Sequence, residues 1–196
     1  MSIQQIKTPT CDGLVEVDAA AVLRTHLNDL LSSSSPLTPS LSPLQQHILH
    51  GLACTVGSAL GATPPSTEQC LAAFTLSNSA GLSAGARAWS KHAHRSGSHP
   101  ATAKMTKDAL SSFGWWGRPK GPVDTINANA LELFWKVMNA ATWKNLHWLP
   151  HQVLVFEARV QEGYGMRWCQ VGDGPWQLRG FVEPMMENGH ELGWRH

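Results

Sequence analysis

The chain has 196 residues, of which 42% are apolar and only 15% charged, and its 15 basic and 14 acidic residues leave a formal net charge of +1. That length supports one sizeable hydrophobic core, and the near balance of charge argues against a general polyanion binder, which needs a basic excess to release counterions. No apolar run is long enough to cross a bilayer, and residues 1–12 lack the basic-then-apolar layout of a secretory signal.

Residues 1–13 read as an extended lead-in ending in a turn at Asp12-Gly13. Val17, Ala20, Ala21, Leu23, Leu27, Leu30 and Leu31 then recur at helical spacing. Residues 32–43, rich in Ser and Pro, form a loop. Pro43 opens a second helix carrying Leu44, Ile48, Leu52 and Val56, which Gly57, Gly61 and Pro64-Pro65 end. Ser66 caps a third helix, and a fourth starts at Ser83 and reaches His94. A loop marked by Gly97 and Pro100, a short helix to Phe113 and an irregular stretch from Gly114 to Pro122 follow. Asp124 caps the longest helix, which runs to Thr142 with Ile126, Ala130, Leu133, Phe134, Val137 and Met138 on one side. Residues 142–151 read as a tight connection, in which Pro150 deprives the His147/His151 pair of the helical spacing a metal pair needs.

The period then changes to two. Leu154, Phe156, Ala158 and Val160 alternate with Val155, Glu157 and Arg159, and 164–171 and 176–183 behave likewise. A three-residue turn ending in a left-handed Gly163 sets Val160 opposite Tyr164, Ala158 opposite Met166 and Phe156 opposite Trp168. A one-residue slip would bury Arg167. On the other face Glu157 meets Arg167. Pairing Gln170 with Trp176 puts Trp168 opposite Leu178 and Arg167 opposite Arg179, two like charges that repel unless an anion or carboxylate lies between them. The fold class expected is α+β: a helical N-terminal two-thirds packed on a C-terminal three-stranded antiparallel meander (152–183). One domain spans 1–196, with the tail 184–196 folded back on the body.

Four groups of side chains are candidates for chemistry. Arg159, Arg167 and Arg179 form a floor for an anionic group, or else an ordinary wet sheet face. Arg87, Lys91, His92, His94 and Arg95 form a phosphate or metal cluster, or else cations favoured at a helix C-terminus. Asn145, His147 and His151 line a pocket beside the sheet, with Trp143, Trp148 and Trp168 as apolar walls. The tail brings His190 and a terminal carboxylate. Cys11, Cys54, Cys70 and Cys169 show no CxxC pair and read as free thiols, Cys54 and Cys70 as core residues on helices. No GxGxxG, P-loop, GxSxG or HExxH is present.

The segments KHAHRS at 91–96, WWG at 115–117, Trp143-x-Asn145-x-His147, FEAR at 156–159, GYGMRW at 163–168 and FVEPMMENGHELGWRH at 181–196 resemble a group of small uncharacterised proteins of fungi and plants. The resemblance covers mainly 85–196. It implies a eukaryotic, non-secreted protein and a shared pocket, and it carries no activity across.

The reading that follows is a small-molecule enzyme or binder acting on an anionic or polar aromatic substrate without a cofactor. His147 or His151 serves as general acid/base, because an imidazole titrates near working pH. Glu157 orients it, and Arg159, Arg167, Arg179, Trp143, Trp168, Asn145, His92, His94 and Arg95 bind substrate. The alternatives are a nucleic-acid or phospho-ligand module using the basic cluster at 87–96, which the charge balance does not favour, and a His-ligated metalloprotein. The expected location is intracellular, cytoplasmic or nuclear.

Overall fold

The computed structural model describes residues 5–33, 40–93 and 114–185. The short helix expected before Phe113, His94, Arg95 and the tail from residue 186 onward lie outside the described residues. The helices are α1 (Asp18–Ser32), α2 (Pro43–Leu49), α3 (Thr67–Thr75), α4 (Ala84–His92) and α5 (Val123–Ala140); the strands are β1 (Trp143–Leu149), β2 (Val153–Arg159), β3 (Gly165–Val171) and β4 (Gln177–Val182). None of these helices is long and apolar enough to cross a membrane.

Serine chemistry starts three helices. Ser42 with Gln45 and Ser66 with Gln69 form reciprocal capping boxes on α2 and α3, and Ser83 Oγ accepts from Ala86 N on α4. On α5, Asp124 lies within the first turn and not at the cap, which is Pro122. There its charge still favours the positive helix end. Two departures from the sequence expectation matter for the site. The second helix does not continue through Val56. It stops at Leu49, the chain turns at Gly51 with φ +71°, and residues 52–59 run out along β1. Ala53 N donates to Lys144 O at 2.6 Å, Ala59 N donates to Leu146 O at 2.8 Å, and Ser58 bridges to His147. The free edge of β1 thus offers those backbone groups partners that a longer helix would not.

The second departure is β1 itself. The sheet has four strands in the order β1-β2-β3-β4, all neighbours antiparallel. The segment expected to be a connection is its first strand. The β2–β3 register is the expected one, with Ala158 opposite Met166, Phe156 opposite Trp168 and Glu157 opposite Arg167. The turn closes with Val160 N donating to Tyr164 O at 2.9 Å, and Gly163 takes φ +92°. Between β3 and β4, Trp168 faces Leu178 as expected, but the register then shifts. Arg167 faces Gly180 (φ +145°), leaving Arg179 as the extra residue of a bulge. The bulge removes the direct cross-strand pairing of Arg167 with Arg179.

One face of the sheet carries Leu146, Leu154, Phe156, Ala158, Met166, Trp168 and Phe181 into a core shared with Phe74 of α3, Trp89 of α4, Trp116 and Phe134 of α5. Trp168 Nε1 donates to Cys70 O at 3.1 Å and Trp89 Nε1 to Trp116 O at 2.8 Å, so both buried indoles keep a partner. α1 and α2 enclose a second cluster of Ala20, Leu27, Ile48 and Cys54. All four cysteines are free; Cys70 is buried on α3, whereas Cys54 is buried in the extended segment and not on a helix.

Candidate functional site

Strand alternation sends the other residues of the sheet to the opposite face. Reading across β1, β2 and β3, the rows are Leu149–Val153–Val171, His147–Val155–Cys169, Asn145–Glu157–Arg167 and Trp143–Arg159–Gly165. Gln177 of β4 extends the second row, and Gly180 stands opposite Arg167 in backbone register.

The Trp143–Arg159 end of this face is roofed. Cys11 and Ala53 pack on Trp143, with Leu14 beside them. The N-terminal segment is tied down by Thr10 N to Thr142 O (3.1 Å), Asp12 N to Gln161 O (2.8 Å) and Thr142 Oγ1 to Thr10 O (2.6 Å). Thr55 and Ser58 complete the cover. Ser58 Oγ donates to Asn145 Oδ1 at 2.9 Å and Asn145 Nδ2 donates to Thr55 Oγ1 at 3.0 Å. Asn145 is therefore a buried structural link between β1 and residues 55–58. Neither Thr55 nor Ser58 was legible as part of the site, because their role depends on the chain leaving α2 early.

Beneath the roof lies an ion cluster. Arg159 Nε donates to Glu157 Oε1 at 2.5 Å, and Arg167 Nε donates to Glu157 Oε2. Arg159 is 3% exposed, and its Nη1 also serves Gly163 O (2.5 Å) and Glu183 O (2.8 Å). Arg167 keeps 34% of its side chain in solvent, and Arg179 is exposed. Burial by itself would raise the Glu157 carboxyl, but the flanking Arg159 and Arg167 outweigh it and hold the group below the ordinary carboxylate range. It stays ionised, and its oxygens are occupied by guanidiniums. His147 lies one row away. Burial pushes its imidazole below the ordinary value, the charge of Glu157 opposes that, and Arg167 and Arg179 reinforce it. Near neutral pH His147 is an uncharged imidazole beside two cations that reach solvent, which suits it to accept a proton next to a bound anion.

Several expected members lie elsewhere. Trp168 is fully buried on the helix-facing side of the sheet, and Trp148 points to that same side, 54% exposed. Trp143 is on the site face but sealed under Cys11 and Ala53. The three indoles therefore do not wall one pocket, because odd and even strand positions face opposite ways. His151 sits in the exposed β1–β2 turn with φ +64°, beyond the Leu149 end. His92 belongs to α4, on the helix layer, where Nδ1 meets Glu183 Oε1 at 3.2 Å. Arg87 and Lys91 are exposed on the same helix, away from Arg167. Among the described residues no group of three or more His, Cys, Asp or Glu could hold a metal ion; of the histidines considered as ligands, His94 and His190 lie outside those residues.

Residues 101–183 match the family model of the CdiA C-terminal tRNase toxin domain. No curated protein and no solved structure matches the chain. The family match overturns the resemblance to the fungal and plant group. It also overturns the reading of a small-molecule enzyme or binder and the expectation that nucleic acid is not the partner, since a tRNase acts on an RNA. It favours the nucleic-acid alternative, though the cluster at 87–96 on which that alternative rested lies before the matched residues. The matched segment includes α5 and the whole sheet, and so every residue of the His147–Glu157–Arg167–Arg179 constellation.

Proposed function

We propose that the chain is a ribonuclease that cleaves tRNA on the open face of its sheet. The observation that carries this reading is the neutral, half-buried His147 beside Arg167 and Arg179, with Glu157 locking Arg167 in place. The match to a tRNase toxin domain over the same strands supports it.

The proposed chemistry uses the RNA, these side chains and a solvent proton. Arg167 and Arg179 hold the non-bridging oxygens of the scissile phosphate and stabilise the charge that grows there. His147 takes the proton of the adjacent ribose 2′-hydroxyl. The 2′-oxygen forms a bond to phosphorus, the bond from phosphorus to the 5′-oxygen breaks, and that oxygen takes a proton from solvent. The products are a 2′,3′-cyclic phosphate and a 5′-hydroxyl end. Glu157 is not the base: a carboxylate depressed by two arginines is a poor proton acceptor. Its part is to fix the guanidinium of Arg167, since positioning within a fraction of an ångström governs rate.

The test is incubation of the purified chain with tRNA in a chelating buffer, with fragments mapped and their ends analysed. Cyclic-phosphate ends from the wild type, and at least a hundredfold slower cleavage by His147→Ala with unchanged folding, are expected. Intact tRNA after prolonged incubation with folded wild type, or wild-type rates from His147→Ala, would overturn the assignment.

A further inference from the structure

The ion cluster ends at the third row of the sheet face, but the face continues. Two rows further along the strands lies Leu149–Val153–Val171, three apolar side chains in register on adjacent strands and on the same face as His147 and Arg167. None of the three is buried, and Val171 is 63% exposed. An antiparallel face that carries ions at one end and bare aliphatic side chains at the other is not a uniformly wet surface. The opposite end of the face is closed by Cys11, Leu14 and Ala53 over Trp143. Among the described residues, a strand held at Arg167 and Arg179 has exposed surface to follow towards Val171. The row lies one same-face step, about 7 Å, from His147. The β1–β2 turn at its edge carries two exposed polar residues, His151 and Gln152, both left-handed at φ +64° and +57°.

We infer that Leu149, Val153 and Val171 form a subsite for one unpaired nucleobase next to the scissile phosphate, with His151 and Gln152 at its polar edge. This rests on the ribonuclease reading for the identity of the strand, and it deepens that reading: the substrate region is single-stranded, such as a tRNA loop, because a paired base cannot lay its face on a flat aliphatic row. The apolar row takes the ring, and the cations take the phosphate one step away.

Fluorescence anisotropy of a short labelled single-stranded RNA, made with 2′-O-methyl sugars so that it cannot be cut, tests the subsite separately from cleavage. The companion probe is the same oligonucleotide with one abasic position. Val171→Ser, at an exposed position, is expected to leave the fold intact, as a urea midpoint equal to wild type would show. It should weaken binding of the intact oligonucleotide about fivefold or more, and weaken the abasic one far less. Base removal and Val171→Ser should be non-additive, as two cuts at one contact. Equal weakening of both probes, or none, overturns the subsite even if tRNA cleavage proceeds normally. Base-dependent binding that Val171→Ser weakens, in a protein that does not cut tRNA, would keep the subsite and remove the nuclease reading. No binding of either probe would sink both.

Discussion

Replacing Glu157 by Gln keeps its shape and removes its charge. Glu157 is 6% exposed and Arg159 3% exposed, so the substitution leaves the Arg159 cation without a counter-charge among groups that cannot hydrate it, with the neutral amide oxygen and the carbonyls of Gly163 and Glu183 as its acceptors. Removing one partner of a buried pair costs about 3–5 kcal/mol, a large share of a typical ~5–15 kcal/mol of folding stability. Arg167→Met should behave differently. Its side chain is 34% exposed, and Glu157 keeps Arg159 when it is gone, so the loss should be about 1 kcal/mol or less. Urea unfolding followed through the nine tryptophans measures both. With a slope of ~2 kcal/mol/M, Glu157→Gln should lower the midpoint by roughly 2 M and Arg167→Met by less than ~0.5 M. The pH dependence has a fixed sign. A carboxyl depressed in the folded state contributes fully above its unfolded value of about 4.3, and that contribution fades as pH falls through the lower folded value. Glu157→Gln should flatten this acid limb. Equal midpoint shifts for the two variants, or an unchanged acid limb, would refute the buried clamp.

His147 and His47 are both depressed chiefly by burial. The unfolded chain therefore binds more protons than the folded one just below pH ~6.5, and stability should decline as pH falls through that window; a thermal-melt series from pH 8 to 5 checks this. Cleavage of tRNA should hold its rate to a pH below ~6.5 and then fall as His147 protonates, which a pH–kcat/KM profile reads directly. Arg179→Gln should weaken tRNA binding and reduce the slope of log K against log salt by about 0.7–0.9, the signature of one lost phosphate contact, in a salt titration with the His147→Ala protein. Gly85→Ala should destabilise by ~1–3 kcal/mol, since a Cβ there would stand 2.1 Å from the Phe74 ring; urea unfolding should show it, with Phe74→Leu relieving part of the loss.

Residues whose partners lie close in sequence were readable. Ser42, Ser66 and Ser83 announce their helices, and Gly163 fixes a register that Ala158, Phe156 and Glu157 then obey. β1 was hidden because its two faces are each mixed: Trp143, Asn145 and His147 alternate with Lys144, Leu146 and Trp148. A strand whose polar side is roofed by residues 52–59 shows no apolar-in, polar-out pattern. The β4 bulge was equally silent, since it follows from Gly180 taking φ +145° and from the need to keep Phe181 in the core opposite Met166. Glu157, Arg159 and Arg167 were identified as a group from register alone. That Trp168 lies on the other face already followed from that register, whereas the place of His147 could be known only once β1 was a strand.

Residues 52–59 do more for β1 than cover a site. Without them the strand would present its outer backbone amides and carbonyls bare to solvent, a ready template for any other extended chain. A fragment trimmed to the family-matched stretch would retain the histidine and arginines, yet expose that sticky seam together with the apolar flank of Trp143. Any effort to produce or graft the family-matched stretch alone must therefore carry the 5–59 segment along as its sealing strip, or supply a substitute for it.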